Sequence, residues 1–172
     1  ARFEDEPAED QTTKFRALVK RAANHEPIAY LVGEKEFYSL PFHVSPAVLI
    51  PRPETETLVD VVLDHCKAVE RPAAAILDVG TGSGCIAVTL LTRMPEATAL
   101  ASDISEAAVE IAQSNAERHN LLDRMTFVQA PGLDLPSEAI PDGGFDVIVS
   151  NPPYIATTDM ATASFSPAPR PS

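Results

Sequence analysis

The 172-residue chain contains no apolar run that approaches the roughly 18 residues needed to cross a lipid bilayer. Cysteine is also scarce: Cys66 and Cys85 are the only two, too few for a disulfide framework. Structural disulfides are rare in the reducing cytoplasm, where cysteines stay free. We therefore expect a cytoplasmic protein with no membrane partner.

Basic residues are few as well. The chain has 13 lysines and arginines against 25 acidic residues, which gives a formal net charge of -12. A protein that binds a nucleic-acid duplex needs a basic face to displace counterions from the phosphates, so we expect no nucleic-acid partner. The four histidines have no ligand spacing to one another or to the cysteines, so we expect no metal.

Apolar runs and helical patterns alternate along the second half of the chain. We predict strands over residues 74–79, 98–102, 125–129 and 145–150, and helices over residues 85–94 and 105–119. Ser105 is placed to cap the second of these helices. Strands that alternate with helices predict parallel βαβ units with right-handed crossovers, and hence an α/β fold.

The first half is less regular. Residues 14–24 and 54–69 carry apolar side chains at helical spacing. Residues 30–33 and 36–38 are typical of the two strands of a β-hairpin, which would turn around residues 33–35.

A glycine-rich segment, Asp78-Val79-Gly80-Thr81-Gly82-Ser83-Gly84, follows the first strand of the alternating part and opens a helix. Its glycines allow a sharp turn and a close approach of the backbone to a ligand. The spacing differs from the G-x-G-x-x-G of dinucleotide-binding folds, and no Gly-Lys-Ser/Thr of a Walker loop follows. The segment therefore predicts a ligand that is neither a pyrophosphate nor a triphosphate; the alternative is a tight turn without a ligand.

Asp103 ends the second strand. A carboxylate at the carboxyl edge of a parallel sheet can accept hydrogen bonds from the two hydroxyls of a ribose. The alternative is a helix-capping aspartate, which would be the better interpretation for Asp103 alone. Together with the glycine-rich segment, Asp103 favours a nucleoside ligand.

Asn151-Pro152-Pro153-Tyr154 directly follows the fourth strand. The Asn151 side-chain oxygen and the Pro152 carbonyl can accept both hydrogens of a planar NH2 group, which leaves the nitrogen lone pair directed out of the plane. Tyr154 offers an aromatic face to the same group. The alternative is a strand-ending turn with an exposed tyrosine. Because this four-residue motif lies beside the glycine-rich segment and Asp103, it favours a site that modifies an amino or amide nitrogen.

These three motifs resemble those of the class I S-adenosylmethionine-dependent methyltransferases, whose core is a Rossmann-like parallel sheet. Residues 26–31, 36–38 and 51–56 resemble the linker hairpin and entry helix of the HemK family, the protein-(glutamine-N5) methyltransferases of peptide chain release factors. The resemblance extends from about residue 15 to about residue 160. It implies methyl transfer from S-adenosylmethionine to the glutamine of a Gly-Gly-Gln motif in a release factor, which would be the protein partner.

The resemblance also implies roles for individual residues. Asn151, Pro152, Pro153 and Tyr154 would bind the substrate amide, with Asn151, Pro152 and Tyr154 as the catalytic residues. Asp103 would bind the cofactor ribose, and Asn151 would also contact the cofactor. The remainder of the cofactor site would consist of Asp78, Gly80, Thr81, Gly82, Ser83 and Gly84.

The same resemblance divides the chain into segments. Residues 1–25 would be a remnant of an N-terminal helical domain that recognises the substrate, and residues 26–53 a hairpin linker. Residues 54–160 would form a partial methyltransferase domain with the first four of the family's seven strands. Residues 161–172, rich in proline, serine and alanine, would be a disordered tail outside the family pattern. We therefore expect a C-terminally truncated enzyme of weak activity, with its fourth strand as an exposed edge.

Two alternatives stay open. The chain could methylate the amino group of adenine in DNA or RNA, or it could be a non-catalytic remnant that binds the cofactor. Family members also carry an acidic residue that brackets the adenine after the third strand. Here Pro131 and Gly132 take those places, and Asp134 could substitute only after a loop shift.

Overall fold

The computed structural model of the protein describes residues 9–152. Its helices are α1 (Glu9–Ala23), α2 (Ile28–Val32), α3 (Glu56–Ala68), α4 (Cys85–Arg93) and α5 (Glu106–Arg118). Its strands are β1 (Glu34–Phe37), β2 (Leu40–His43), β3 (Ala75–Val79), β4 (Thr98–Asp103), β5 (Met125–Gln129) and β6 (Val147–Ser150). Short 3-10 turns lie at Pro53–Thr55 and Ser137–Ala139. None of the helices in this range is long and apolar enough to cross a membrane.

Four of the strands form a parallel sheet in the order β5-β4-β3-β6. The predicted α/β class and the alternation of these strands with helices are confirmed. Ser105 caps α5 as predicted, because its hydroxyl accepts a hydrogen bond from the Ala108 N–H. Within residues 9–152, β6 pairs only with β3, and its Ile148 side chain is 59% exposed.

Helix α4 is the central helix of the core. Its residues from Cys85 to Leu91 are all buried, because the helix packs against β3, β4, α3 and α5. A helix that is apolar on every side is stable in water only when it is surrounded in this way. The glycine-rich segment leads directly into α4, so the first turn of a buried helix anchors that segment.

The β-hairpin lies downstream of its predicted position. Residues 30–32, predicted as its first strand, belong to α2, and Gly33 ends that helix with φ 74° while its N–H donates to the Ala29 carbonyl. The hairpin consists of β1 and β2, which turn at Tyr38 and Ser39. The prediction was wrong because an apolar run before a glycine fits a strand before a turn as well as a helix before its left-handed cap.

Helix α3 stabilises the turn of the hairpin. Tyr38 and Ser39 have φ values of 52° and 61°, in the left-handed region that asparagine and glycine adopt more readily. The Tyr38 N–H donates to Glu56 Oε1 at 2.8 Å, and the Tyr38 hydroxyl donates to Asp60 Oδ1 at 2.7 Å. Contacts that are distant in sequence therefore select this turn, and no local signal marks it.

Asn115 of α5 joins the hairpin to the sheet. Its buried side-chain oxygen accepts from the His43 N–H at 2.7 Å. Its nitrogen donates to the His43 carbonyl at 3.0 Å and to the Ser83 carbonyl at 2.8 Å. All three partners are backbone groups, so one side chain extends the hydrogen bonding of β2 and also holds the glycine-rich segment.

Replacing Asn115 by leucine keeps the approximate size of the side chain and removes these hydrogen bonds. We expect the free energy of unfolding to fall by about 3 kcal/mol, because each buried polar group left without a partner costs roughly 1–3 kcal/mol. Urea unfolding measures the change. Gln113→Leu, at an exposed position of the same helix, is the control and should alter stability by less than about 0.5 kcal/mol. Equal stability of the two variants would contradict this role for Asn115.

Candidate functional site

The carboxyl ends of β3, β4 and β6 meet at one edge of the sheet. Val79 at the end of β3 pairs in register with Ser102 of β4 and with Ser150 of β6. The residues that come next in each strand or loop therefore emerge side by side. These residues are Gly80, Asp103 and Asn151, and they line one cleft of about 620 Å³. Open α/β sheets bind their ligands at this edge.

The glycine-rich segment lies along one side of this cleft. Gly82 has φ 54°, and no atom lies within 4 Å of the position that a Cβ would take, so a ligand can approach the backbone closely. Gly84 does not line the cleft. A Cβ on Gly84 would lie 3.1 Å from the Cβ of Ala112, so this glycine permits close packing of α4 against α5. Thr81 and Ser83 line a smaller adjoining cavity.

Asp103 links the glycine-rich segment to the start of α5. Its Oδ2 accepts from the Gly82 N–H at 2.9 Å, and its Oδ1 accepts from the Ser105 N–H at 3.0 Å. Each carboxylate oxygen has a second lone pair, so the half-buried group can still accept two further hydrogen bonds from the cleft. This geometry suits the two adjacent hydroxyls of a ribose.

Asp78 is the first residue of the glycine-rich segment and does not line the cleft. Its carboxyl is fully buried, and its Oδ2 accepts from the Thr81 hydroxyl at 2.7 Å. Within the described residues its Oδ1 has no hydrogen-bond partner. Burial raises the pKa of Asp78 to about 6. The hydrogen bond from Thr81 lowers this pKa, whereas the negative charge of Asp103 raises it further. Asp78 therefore stabilises the glycine-rich segment through Thr81 and is not placed to contact a ligand in the cleft.

Asn151 is oriented by a residue from a distant part of the chain. Its Nδ2 donates to the Thr55 hydroxyl at 2.9 Å, which leaves its Oδ1 available as an acceptor. Pro152 also lines the cleft, whereas Pro153 and Tyr154 lie outside the described residues. Sequence reasoning missed the buried Thr55, because 96 positions separate it from Asn151. Its place at the start of α3, in the segment 51–56, was the only local sign.

Part of the cleft wall comes from residues before α3, which sequence reasoning also missed. Tyr30 and residues 46–49 line the cleft, and the Tyr30 hydroxyl donates to the Val48 carbonyl at 2.7 Å. The Leu49 side chain borders the same space and is 51% exposed. Tyr30 and residues 46–49 therefore form a wall of the cleft in addition to the strand ends.

The region predicted to hold an adenine has no acidic residue on the cleft. Pro131 and Gly132 line it, and Asp134 does not. Ile104 also lines the cleft with a side chain that is 71% exposed, which offers apolar surface to a planar base. The residues present thus fit an adenosine through packing and through Asp103, without a charged bracket.

Two other kinds of chemistry, by a metal ion or by a thiol, find no support among the described residues. Among residues 9–152, no three or more histidine, cysteine, aspartate or glutamate side chains are arranged to hold a metal ion. Burial raises the pKa of the Cys85 thiol to about 12, so this thiol stays protonated at neutral pH and is a poor nucleophile.

Comparison with known families agrees with this geometry. A family model described as the methyltransferase small domain matches residues 55–166, which is more than half of the chain. The chain belongs to the methyltransferase small domain family. A second model, the PrmC N-terminal domain, matches residues 1–33. The matched range includes β3, β4 and β6, whose carboxyl ends meet at the cleft.

Curated relatives and one solved structure extend the comparison. The release factor glutamine methyltransferase of Rhodopirellula baltica is 45% identical over 159 residues, which cover 91% of this chain and 53% of that protein. The release factor glutamine methyltransferase of Chlorobaculum tepidum is 45% identical over 157 residues, which cover 86% of this chain and 51% of that protein. The chain thus spans about half the length of the curated relatives it matches. The human methyltransferase 10 domain containing protein is similar in structure, with a TM-score of 0.53 and 25% sequence identity. The similar region covers 68% of this chain and 56% of that one.

The buried Asp78 predicts a pH dependence of stability. Its pKa is raised from 3.8 to about 6 on folding, so the folded chain binds this proton more tightly than the unfolded chain. The stabilisation from the protonated form is therefore lost as the pH rises through 6. Between pH 5 and pH 7.5 we expect the parent chain to lose about 1 kcal/mol relative to Asp78→Asn, which does not titrate. Urea unfolding at both pH values measures the difference, and parallel pH profiles would contradict it.

Proposed function

We propose that this chain carries the active site of a release factor glutamine methyltransferase. The reaction would transfer a methyl group from S-adenosylmethionine to the side-chain amide nitrogen of the glutamine in a Gly-Gly-Gln motif. The observation that carries the proposal is the placement of Asn151 and Pro152 in the same cleft as Gly82 and Asp103. Two relatives at 45% identity, each named as an enzyme of this activity, support it.

Four residues of the cleft would bind the cofactor. The Gly80 and Gly82 backbone permits close approach, Asp103 would accept hydrogen bonds from the ribose hydroxyls, and Ile104 would pack on the adenine. Gly82 and Asp103 already hydrogen bond to each other, so the two parts of the site are held together before a ligand arrives. The bound cofactor supplies an electrophilic methyl group on its sulfonium.

Asn151 would bind and orient the substrate amide. An amide nitrogen is a poor nucleophile because its lone pair is delocalised into the carbonyl. The Asn151 Oδ1 and the Pro152 carbonyl would accept the two N–H groups and hold the nitrogen in line with the methyl group. Thr55 supports this role, since its hydrogen bond directs the nitrogen of Asn151 away from the substrate. Pro153 and Tyr154 would complete the amide pocket.

The charge of the chain supports a protein substrate. A net charge of -12 disfavours binding to the phosphates of DNA or RNA, which methylation of adenine in a nucleic acid would require. A release factor is a cytoplasmic partner, so we also propose a cytoplasmic location. In the same scheme, residues 26–53 act as the linker and residues 54–160 as the methyltransferase domain.

The role of Asp103 predicts the affinity for the cofactor product. We expect Asp103→Ala to weaken binding of S-adenosylhomocysteine by more than about tenfold, because two hydrogen bonds to a charged acceptor are lost. Titration calorimetry measures the affinity. Asp134→Ala removes the same charge outside the cleft and should leave affinity unchanged. Binding by Asp103→Ala at the affinity of the parent chain would overturn the ribose assignment.

The role of Asn151 predicts the transfer step. With the chain in excess over tritiated S-adenosylmethionine and a release factor, we expect label in the release factor and none in duplex DNA. Asn151→Ala should slow transfer by about 100-fold, as removal of a positioned acceptor does. Gln113→Ala, an exposed amide on α5, is the control. Label in DNA without label in the release factor would contradict the proposed substrate, and transfer by Asn151→Ala at the parent rate would contradict the role of Asn151.

A further inference from the structure

A second, smaller cavity adjoins the main cleft at the glycine-rich segment. Its volume is about 40 Å³, and it shares four lining residues with the cleft: Leu49, Gly80, Gly82 and Asn151. Asp103 and Ile104 line only the larger cleft, whereas Arg52 and Thr81 line only the smaller cavity. The two spaces therefore adjoin at these four residues, and Asp103 and Arg52 line different ones.

Two proline neighbours restrict the backbone conformation of Arg52. Pro51 is buried, and Pro53 begins the 3-10 turn that leads into α3. The Arg52 backbone is extended, with φ -111° and ψ 145°, and its carbonyl accepts from the Thr55 N–H at 3.0 Å. The same short segment thus positions both Arg52 and the threonine that orients Asn151.

The guanidinium of Arg52 has no protein partner among the described residues. Three other arginines in this range form ion pairs: Arg21 with Glu26, Arg71 with Asp146, and Arg118 with Glu34. Arg52 does not, although the chain has 25 acidic residues. Among the residues from 9 to 152 that line either cavity, Arg52 is the only cationic one. An unpaired guanidinium beside a ligand cleft is suited to an anionic group of that ligand.

We propose that Arg52 binds the carboxylate of the amino-acid end of the methyl donor. The proposal rests on the function proposed above. A donor with its ribose on Asp103 and its sulfonium beside Asn151 must extend its amino-acid end past the shared residues into the smaller cavity. The carboxylate is the only anionic group of that donor. The smaller cavity, at about 40 Å³ against about 620 Å³ for the cleft, suits the small amino-acid end better than the nucleoside. A local cation at this point would also reduce the repulsion between the carboxylate and a chain of net charge -12.

Calorimetry with two ligands tests this assignment on the full 172-residue chain. S-Adenosylhomocysteine has the carboxylate, whereas methylthioadenosine has the same adenosine and thioether without the amino-acid end. We expect Arg52→Gln to weaken S-adenosylhomocysteine binding by about tenfold or more and methylthioadenosine binding by less than about twofold. Arg16→Gln removes an equal charge from the exposed face of α1 and should alter neither affinity.

The outcomes separate this inference from the function on which it rests. If the parent chain binds both ligands and Arg52→Gln weakens both equally or neither, the carboxylate assignment is wrong while the cofactor site stands. Unchanged binding together with slower methylation of the release factor would assign the guanidinium to the protein substrate and overturn the proposal. Failure of the parent chain to bind S-adenosylhomocysteine would overturn the proposed function itself.

Discussion

The register of the parallel sheet is the constraint on which the site depends. Because Val79 is paired with Ser102 on one side and Ser150 on the other, three loops leave the sheet at the same height. A slip of one residue between β3 and a neighbour would turn that neighbour's side chains to the opposite face and bury polar groups in the core. The buried apolar residues that stabilise the sheet therefore also determine which side chains meet in the cleft.

Two side-chain bridges adapt this general arrangement to a particular use. Asn115 holds the hairpin and the glycine-rich segment together, and Thr55 orients Asn151. Both bridges connect the first half of the chain to the sheet, so residues before β3 belong to the site as much as the strand ends do. Under the proposed function the reaction would depend on these bridges, because a misplacement of about 1 Å can slow a reaction about 100-fold.

The sequence predicted those parts of the molecule that local patterns encode. Apolar runs marked the four parallel strands, and Ser105 marked the start of α5. The hairpin was misplaced because Gly33 ends a helix where a turn was expected, and the actual turn is held by Glu56 and Asp60. Thr55 and Asn115 went unnoticed for the same reason: their partners lie far away in sequence, and only the folded chain brings them together.

The proposed function requires one ligand to span the ends of β3, β4 and β6. Backbone amide NMR of the 172-residue chain during titration with S-adenosylhomocysteine tests it directly. We predict that the largest shift changes belong to Gly80, Gly82, Asp103 and Asn151, whose amides lie at the cleft. A second cavity of about 470 Å³ lies between Leu63 and Met94, beside the amino ends of β3 and β4. Shift changes grouped around that cavity would contradict ligand binding at the cleft. A spectrum that the ligand leaves unchanged would contradict it as well.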